Sequence, residues 1–173
     1  LNDSKHVLII GCGLVGAELC CDLRSGGHQV TCVHDADWPI HTLLPEPMGR
    51  ALKTALSETG VHWVGSDMVT SVTHVASGFE VKLESGCTLN ADVVISATGM
   101  EAQIDLAQRA GLVTQKGIVT DAYLQTSDPN IYAVGDCAEV SGLLLFYVSP
   151  LRRCAQALAL SLSGQPTAVT YPA

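Results

Sequence analysis

The sequence is short of charge, of aromatic rings and above all of basic residues. Only 15% of its 173 residues are charged and 5% are aromatic. Lysine and arginine number 9 against 17 acidic residues, a formal net charge of −8. A nucleic-acid partner would call for a basic face, so none is expected. The acidity reads as simple solubility. No apolar run reaches the ~20 residues of a membrane span, so no membrane partner is expected. No leader peptide is expected either, because Leu1-Asn2-Asp3-Ser4-Lys5 runs straight into a strand pattern. The start on Leu1 rather than Met reads as a trimmed chain or a fragment. Cysteine is present but not in paired spacings. The number is odd, seven, and no Cys-x-x-Cys or zinc-type pattern occurs. Cys12, Cys20, Cys21, Cys32, Cys87, Cys137 and Cys154 therefore read as reduced residues, mostly in the core, of a cytoplasmic protein. No metal site is expected.

Apolar residues make up 47% of the chain, enough for a globular fold with a real core. His6-Val7-Leu8-Ile9-Ile10 is a short apolar run that ends at glycines, the pattern of a buried parallel strand. Leu14 to Arg24 has helical spacing, with Gly26-Gly27 as a stop. Gln29 to Val33 is a second strand, and together these make a βαβ unit. A second helix should start near Pro45-Glu46-Pro47 and stop at Gly60, before a strand at 61–64. Residues 67–96 read as an antiparallel meander, with strands at 68–72, 79–83 and 91–95. Beyond Gly99 we expect a short helix at 103–110 and strands at 118–119, 123–125 and 131–134. A last helix should be capped by Ser149, with Pro150 in its first turn and Gly164 as its stop.

The chemistry is concentrated in Gly11-Cys12-Gly13-Leu14-Val15-Gly16. A lone Gly-x-Gly-x-x-Gly is weak evidence, but here it joins a strand to a helix, which is the confirming context. Gly11 permits the tight turn, Gly13 lets the backbone approach a pyrophosphate, and Gly16 lets the helix pack on the sheet. The helix N-terminus offers unpaired N–H groups and a positive dipole. The residue that bonds the ribose should stand at the end of the second strand, at His34 or one position later at Asp35. Asp35 and Asp37 would repel an extra phosphate, and no Arg or Lys follows for many residues. NAD(H) is favoured over NADP(H) on that ground. Trp38 reads as a hydrophobic plug. Glu18 stands in an apolar stretch and needs either water or a partner.

Three motifs in order carry a family resemblance. Gly11 to Glu18 resembles the second dinucleotide motif of flavoprotein pyridine-nucleotide reductases. Ser96-Ala97-Thr98-Gly99 resembles the point where their chain leaves the NAD domain. Thr126 to Asp136, with Ile131-Tyr132-Ala133-Val134-Gly135-Asp136, resembles their late flavin motif. The resemblance continues through Cys137-Ala138-Glu139-Val140 and Tyr147-Val148-Ser149-Pro150-Leu151. It implies an α/β architecture: a Rossmann-like NAD-binding domain over 1–101, with a parallel sheet, helices and an antiparallel meander. The second half of a split FAD-binding domain would then fill 102–173. It implies the cofactors NAD(H) and FAD, and hydride transfer from NADH to FAD. A small iron–sulfur electron-acceptor protein such as rubredoxin would be the partner. By this resemblance Gly11, Gly13 and Gly16 hold the pyrophosphate, and Glu18 lies near the nicotinamide end. Thr98-Gly99 would line the passage beneath the nicotinamide, and Asp136 would bond the flavin ribityl chain. The helix after Tyr147-Val148 would aim its positive end at the flavin. The family often carries an acidic residue at the end of the second strand, where His34 stands here. No side-chain nucleophile or acid–base pair is expected, and the isolated segment should not turn over.

Overall fold

The computed structural model describes residues 5–171. Leu1 to Ser4 of the leader reading lie outside the described residues. The chain divides into two compact units, one extending through Gly99 and the other beginning at Met100.

The first unit opens with β1 (His6–Ile10), α1 (Leu14–Ser25), β2 (Gln29–His34), α2 (Glu46–Glu58) and β3 (His62–Gly65). β1 lies between β2 and β7 (Val93–Ser96) in a parallel sheet of order β3-β2-β1-β7. Alternation along β1 divides the core. Val7 and Ile9 pack toward α1 and α2, with Ala17, Cys20 and Leu56. Leu8 faces the other way, onto Val81, Leu83 and Ala91 of the meander. Both faces are therefore covered, as the unbroken apolar run of β1 requires.

The meander consists of β4 (Val69–Val75), β5 (Gly78–Leu83) and β6 (Thr88–Ala91). The expected strand at 91–95 is thus corrected. Its third meander strand lies earlier, and Val93–Ser96 belongs to the parallel sheet. Asp92 makes the switch. Its N–H donates to His6 O at 2.9 Å, while its carboxylate accepts from His6 N at 2.8 Å. Both bonds draw the chain off the meander and onto the edge of β1.

The second unit contains α3 (Asp105–Arg109), β8 (Ile118–Thr120), β9 (Ala138–Val140), β10 (Leu143–Leu144) and α4 (Val148–Leu162). β8 and β9 pair in parallel and β10 adds antiparallel to β9. The expected strands at 123–125 and 131–134 do not form; a single bridge joins Gln125 to Tyr132. Turns on both sides leave no room for a ladder. The Asp121 carboxylate accepts from Tyr123 and Gln125 N–H, and the Asp128 carboxylate accepts from Asn130 N–H. β9 and β10 were not expected from the sequence, because two- and three-residue strands carry no period. α4 starts at Val148 with Tyr147 as its cap, so Ser149 lies inside the helix and is not the cap. Among the described residues no helix is long and apolar enough to cross a membrane.

Candidate dinucleotide site

Gly11 ends the rise of β1 and turns at φ +92°, donating its N–H to Val33 O at 2.8 Å. A Cβ there would lie 2.5 Å from Ala97 O and 3.2 Å from Thr98 Cα. Gly16 sits one turn into α1, where a Cβ would run into Gly11 O. Gly13 is different. It caps α1 with no side-chain cap bond, and none of the described residues lies within 4 Å of where its Cβ would be. Two glycines thus let backbone meet backbone, and the third leaves space over a helix N-terminus. The uncapped N–H groups and the dipole of α1 make that space suited to an anion.

Leu14 and Val15 flank it, 47% and 60% exposed. Glu18 is exposed to water and lines a shallow depression with Leu14, Ile40 and Leu52. Thr98 and Gly99 follow β7 and are also exposed, Gly99 at φ +102°. The contact of Gly11 with Ala97 and Thr98 brings that segment to the glycine turn.

Cys12 plays a different part from its neighbours. Its side chain is fully buried beside Cys20 and Cys32, the three Sγ atoms lying within 4.8 Å of one another. Hydrogen bonding from Cys12 and Cys20, together with burial, pushes the Cys32 thiol up, so it stays protonated. Cys12, Cys20, Cys32 and Cys154 are buried, as expected of core residues, whereas Cys21 and Cys87 are exposed. Cys12 N–H donates to His34 Nδ1 at 3.1 Å, and Cys12 O accepts from Ile40 N–H at 2.8 Å. The middle of the glycine turn is therefore tied to the β2–α2 loop.

His34 is only 6% exposed. Its Nε2 is 3.1 Å from His41 Nδ1, and its ring meets Trp63 edge-on with centroids 5.7 Å apart. Burial lowers the His34 pKa below the ordinary histidine value, with the Asp35 charge opposing. Asp35 is 57% exposed, its carboxylate 3.1 Å from His34 Nδ1. Of the two positions considered for the ribose, only Asp35 opens to solvent.

The expectation of no cation near the end of β2 is corrected. α2 carries Arg50 and Lys53 back to Asp37, at 2.7 and 2.9 Å. Arg50 also pairs with Glu46 one turn earlier, and the two cations lean on the Trp38 and Trp63 rings. A separation of more than ten residues hid this, because a helix folds its first turns back over the loop before it. Lys53 and Arg50 hold the Asp37 carboxylate below its usual range. A depressed carboxylate adds stability above its unfolded pKa and loses it as pH falls through the folded one. The Asp37 contribution should therefore be constant from neutrality to roughly pH 4 and vanish below that. Melting curves of Asp37→Asn and the parent should differ slightly at pH 7 and converge as the pH falls below the ordinary carboxylate range.

In the second unit Gly135 turns at φ +102°, and Asp136 is exposed beside it. A Cβ on Gly135 would be 3.8 Å from Leu151 Cδ1, so this turn sits against the first turn of α4. Tyr147 and Val148, at the start of α4, are 52% and 71% exposed, and no side chain among the described residues caps the helix. A carboxylate and a free helix N-terminus thus share one surface.

A strand–glycine–helix cradle in a parallel sheet, followed by a Gly-Asp turn at a helix start, defines a nucleotide-binding oxidoreductase scaffold. The family model for pyridine nucleotide-disulphide oxidoreductases matches residues 1–159, and the chain belongs to that family. It is 46% identical to rubredoxin–NAD(+) reductase of Acinetobacter baylyi, over 99% of this chain and 44% of the relative. It is 38% identical to the nitric oxide reductase FlRd–NAD(+) reductase of Escherichia coli K12, over 100% of this chain and 46% of the relative. Among solved structures, the ferredoxin reductase for the CYP199A2 system of Rhodopseudomonas palustris superposes with a TM-score of 0.89. It is 29% identical and matches 98% of this chain and 44% of that one. Putidaredoxin reductase in its covalent complex with putidaredoxin gives a TM-score of 0.87 at 27% identity, matching 98% of this chain and 42% of that one. The chain spans less than half the length of these relatives.

Proposed function

We propose that the first unit binds NAD(H) and that the second unit supplies part of an FAD site. The whole protein would then be a flavin-dependent reductase that oxidises NADH and passes electrons to a small redox protein, of the rubredoxin type. The observation that carries the reading is the open Gly13 at the uncapped start of α1, beside two glycines that backbone contacts make obligatory. Gly11, Gly13 and Gly16, with the N–H groups of Leu14 and Val15, hold the pyrophosphate. Asp35 accepts from the ribose hydroxyls. Cys12 and His34 brace the turn from behind, and Glu18 and Thr98-Gly99 flank the nicotinamide. Asp136 accepts from the flavin ribityl chain, and the α4 N-terminus at Tyr147-Val148 stabilises negative charge on the reduced flavin edge. The two cofactors, when bound, supply the hydride and electron chemistry, and the chain binds and orients them. NAD(H) is favoured over NADP(H) because Asp35 is negative and exposed while Arg50 and Lys53 are already paired. The names of the relatives, a rubredoxin reductase and a reductase linked to putidaredoxin, support a small redox protein as acceptor.

Titration of this chain with NADH, followed by the nucleotide's fluorescence, should saturate at one equivalent, with NADPH binding more weakly. A non-saturable signal would overturn the reading. In the whole protein, NADH should bleach the flavin absorbance in a stopped-flow experiment.

A further inference from the structure

We propose that His34 and His41 form a site for a divalent transition-metal cation of the zinc or nickel kind, and that metal and NAD(H) exclude each other there. The exclusion rests on the NAD(H) reading above; the metal site does not.

The geometry comes first. His34 Nε2 and His41 Nδ1 face each other across 3.1 Å. Two imidazole nitrogens that each bond one cation at ~2.0–2.1 Å sit about 3 Å apart, so the spacing fits once the rings rotate off their shared hydrogen-bond line. Ring nitrogens suit zinc and nickel, and not magnesium or calcium. Asp35 stands behind the pair, 3.1 Å from the other nitrogen of His34. That is the arrangement in which a carboxylate orients a metal-bound histidine. The ligand atoms of His34, Asp35 and His41 all lie within 4.8 Å of one another. His41 and Asp35 are exposed, so a cation has a way in.

The backbone offers a second, independent observation. Ile40 adopts φ +55° with its side chain buried. A β-branched residue in the left-handed region is a real outlier, and such strain persists only where the surroundings enforce it. Here Ile40 N–H bonds Cys12 O, and the next residue, His41, is turned onto His34.

The exclusion follows from the hydrogen bonds. Without metal, His34 Nδ1 accepts from Cys12 N–H, so the ring proton is on Nε2 and donates to His41 Nδ1. A metal takes the Nε2 lone pair. The ring proton then moves from Nε2 to Nδ1, with no net proton released. Nδ1–H donates to the Asp35 carboxylate, and Cys12 N–H loses its acceptor. Asp35 is then fixed on His34 Nδ1–H and taken from the ribose hydroxyls, and the middle of the glycine turn loses one of its two ties, keeping only Cys12 O to Ile40 N–H. NAD(H) needs both, so each ligand opposes the other.

The test uses this chain, freed of metal by a chelator. Nickel chloride is added while tryptophan fluorescence is read, since Trp63 lies against His34. Saturable quenching at one equivalent is expected. His41→Ala, an exposed loop change, should weaken nickel binding at least tenfold, and His62→Ala on the exposed edge of β3 should leave it unchanged. Isothermal titration with zinc chloride should give the same ranking. The apparent Kd for NADH should rise in proportion to nickel concentration in the parent but not in His41→Ala. Equal nickel affinity in His41→Ala would overturn the site, placing the ion elsewhere, such as the buried thiols. Nickel binding that leaves the NADH Kd unchanged would overturn the exclusion. Failure of NADH to bind in metal-free buffer would instead overturn the NAD(H) reading, and the first arm would still decide the metal site.

Discussion

Alanine at Gly13 is expected to leave the chain folded while lowering NADH affinity at least tenfold, about 1.4 kcal/mol. Valine at Gly16 is expected to unfold the first unit's glycine turn outright. The contrast arises from what each added side chain would meet. At Gly13 there is open space, and the backbone, at φ −68°, accepts any L-residue. Its stability should stay within ~1 kcal/mol, because alanine restricts the unfolded chain but is a poorer N-cap than glycine. Its methyl group meets none of the described residues, so on the proposed reading it would meet the bound pyrophosphate. At Gly16 the first atom met is Gly11 O, a backbone atom held by the bond from Gly11 N–H to Val33 O. Neither side can yield, so the cost should reach about 3 kcal/mol or more, at the upper end for overpacking. Urea unfolding with parallel NADH titrations checks both. Equal losses of stability in the two variants would mean that Gly13 is structural and not a ligand contact.

Leu124→Ala is expected to cost ~2–5 kcal/mol of stability in urea, the range for emptying a fully buried leucine site. Leu124 is wholly buried among Ala133, Ala138, Val140 and Cys154, even though its backbone is left-handed at φ +67°. The segment around it makes no ladder, so this side chain helps hold residues 131–134, together with the bonds from Ala133 N–H to Leu124 O, from Thr126 N–H and Oγ1 to Ile131 O and from Ile131 N–H to Asp128 O. Those residues lead directly to Gly135 and Asp136. The second expected readout is therefore faster exchange of the amide hydrogens from 131 to 136. A change within 0.5 kcal/mol, the ordinary range for surface sites, would show that Leu124 does not anchor that turn.

How much was legible beforehand varied with the range of the interaction. β1, α1, β2 and α2 stand close to where the spacing placed them, because periodicity and glycine stops are local signals. Val93–Ser96 was misplaced because apolar alternation does not say which neighbour a strand will choose. The choice was made by Asp92 and His6, 86 residues apart. Residues 123–125 and 131–134 have strand composition, but the Asp121 turn takes up the first and the Asp128 turn separates the two, which limits them to one bridge. At the site, Gly11, Gly13 and Gly16 and their separate tasks were visible in the pattern, but not the atoms they meet, Ala97 O at Gly11 and Gly11 O at Gly16. Cys12 was grouped with the glycines and proved to brace the turn from below. His41 was not singled out at all, since a lone loop histidine carries no signal until its partner is known.

The sequence by itself settled the order of the βαβ unit, the glycine cradle and the late Gly-Asp turn, and with them the family. Each rests on residues within a few positions of one another, where chain stereochemistry and side-chain period act directly. Tertiary structure alone decided that β7 joins the parallel sheet, that Arg50 and Lys53 return to Asp37, and that Cys12, His34 and His41 form one hydrogen-bonded line. Those depend on groups brought together by packing, and no local pattern encodes a meeting between distant side chains.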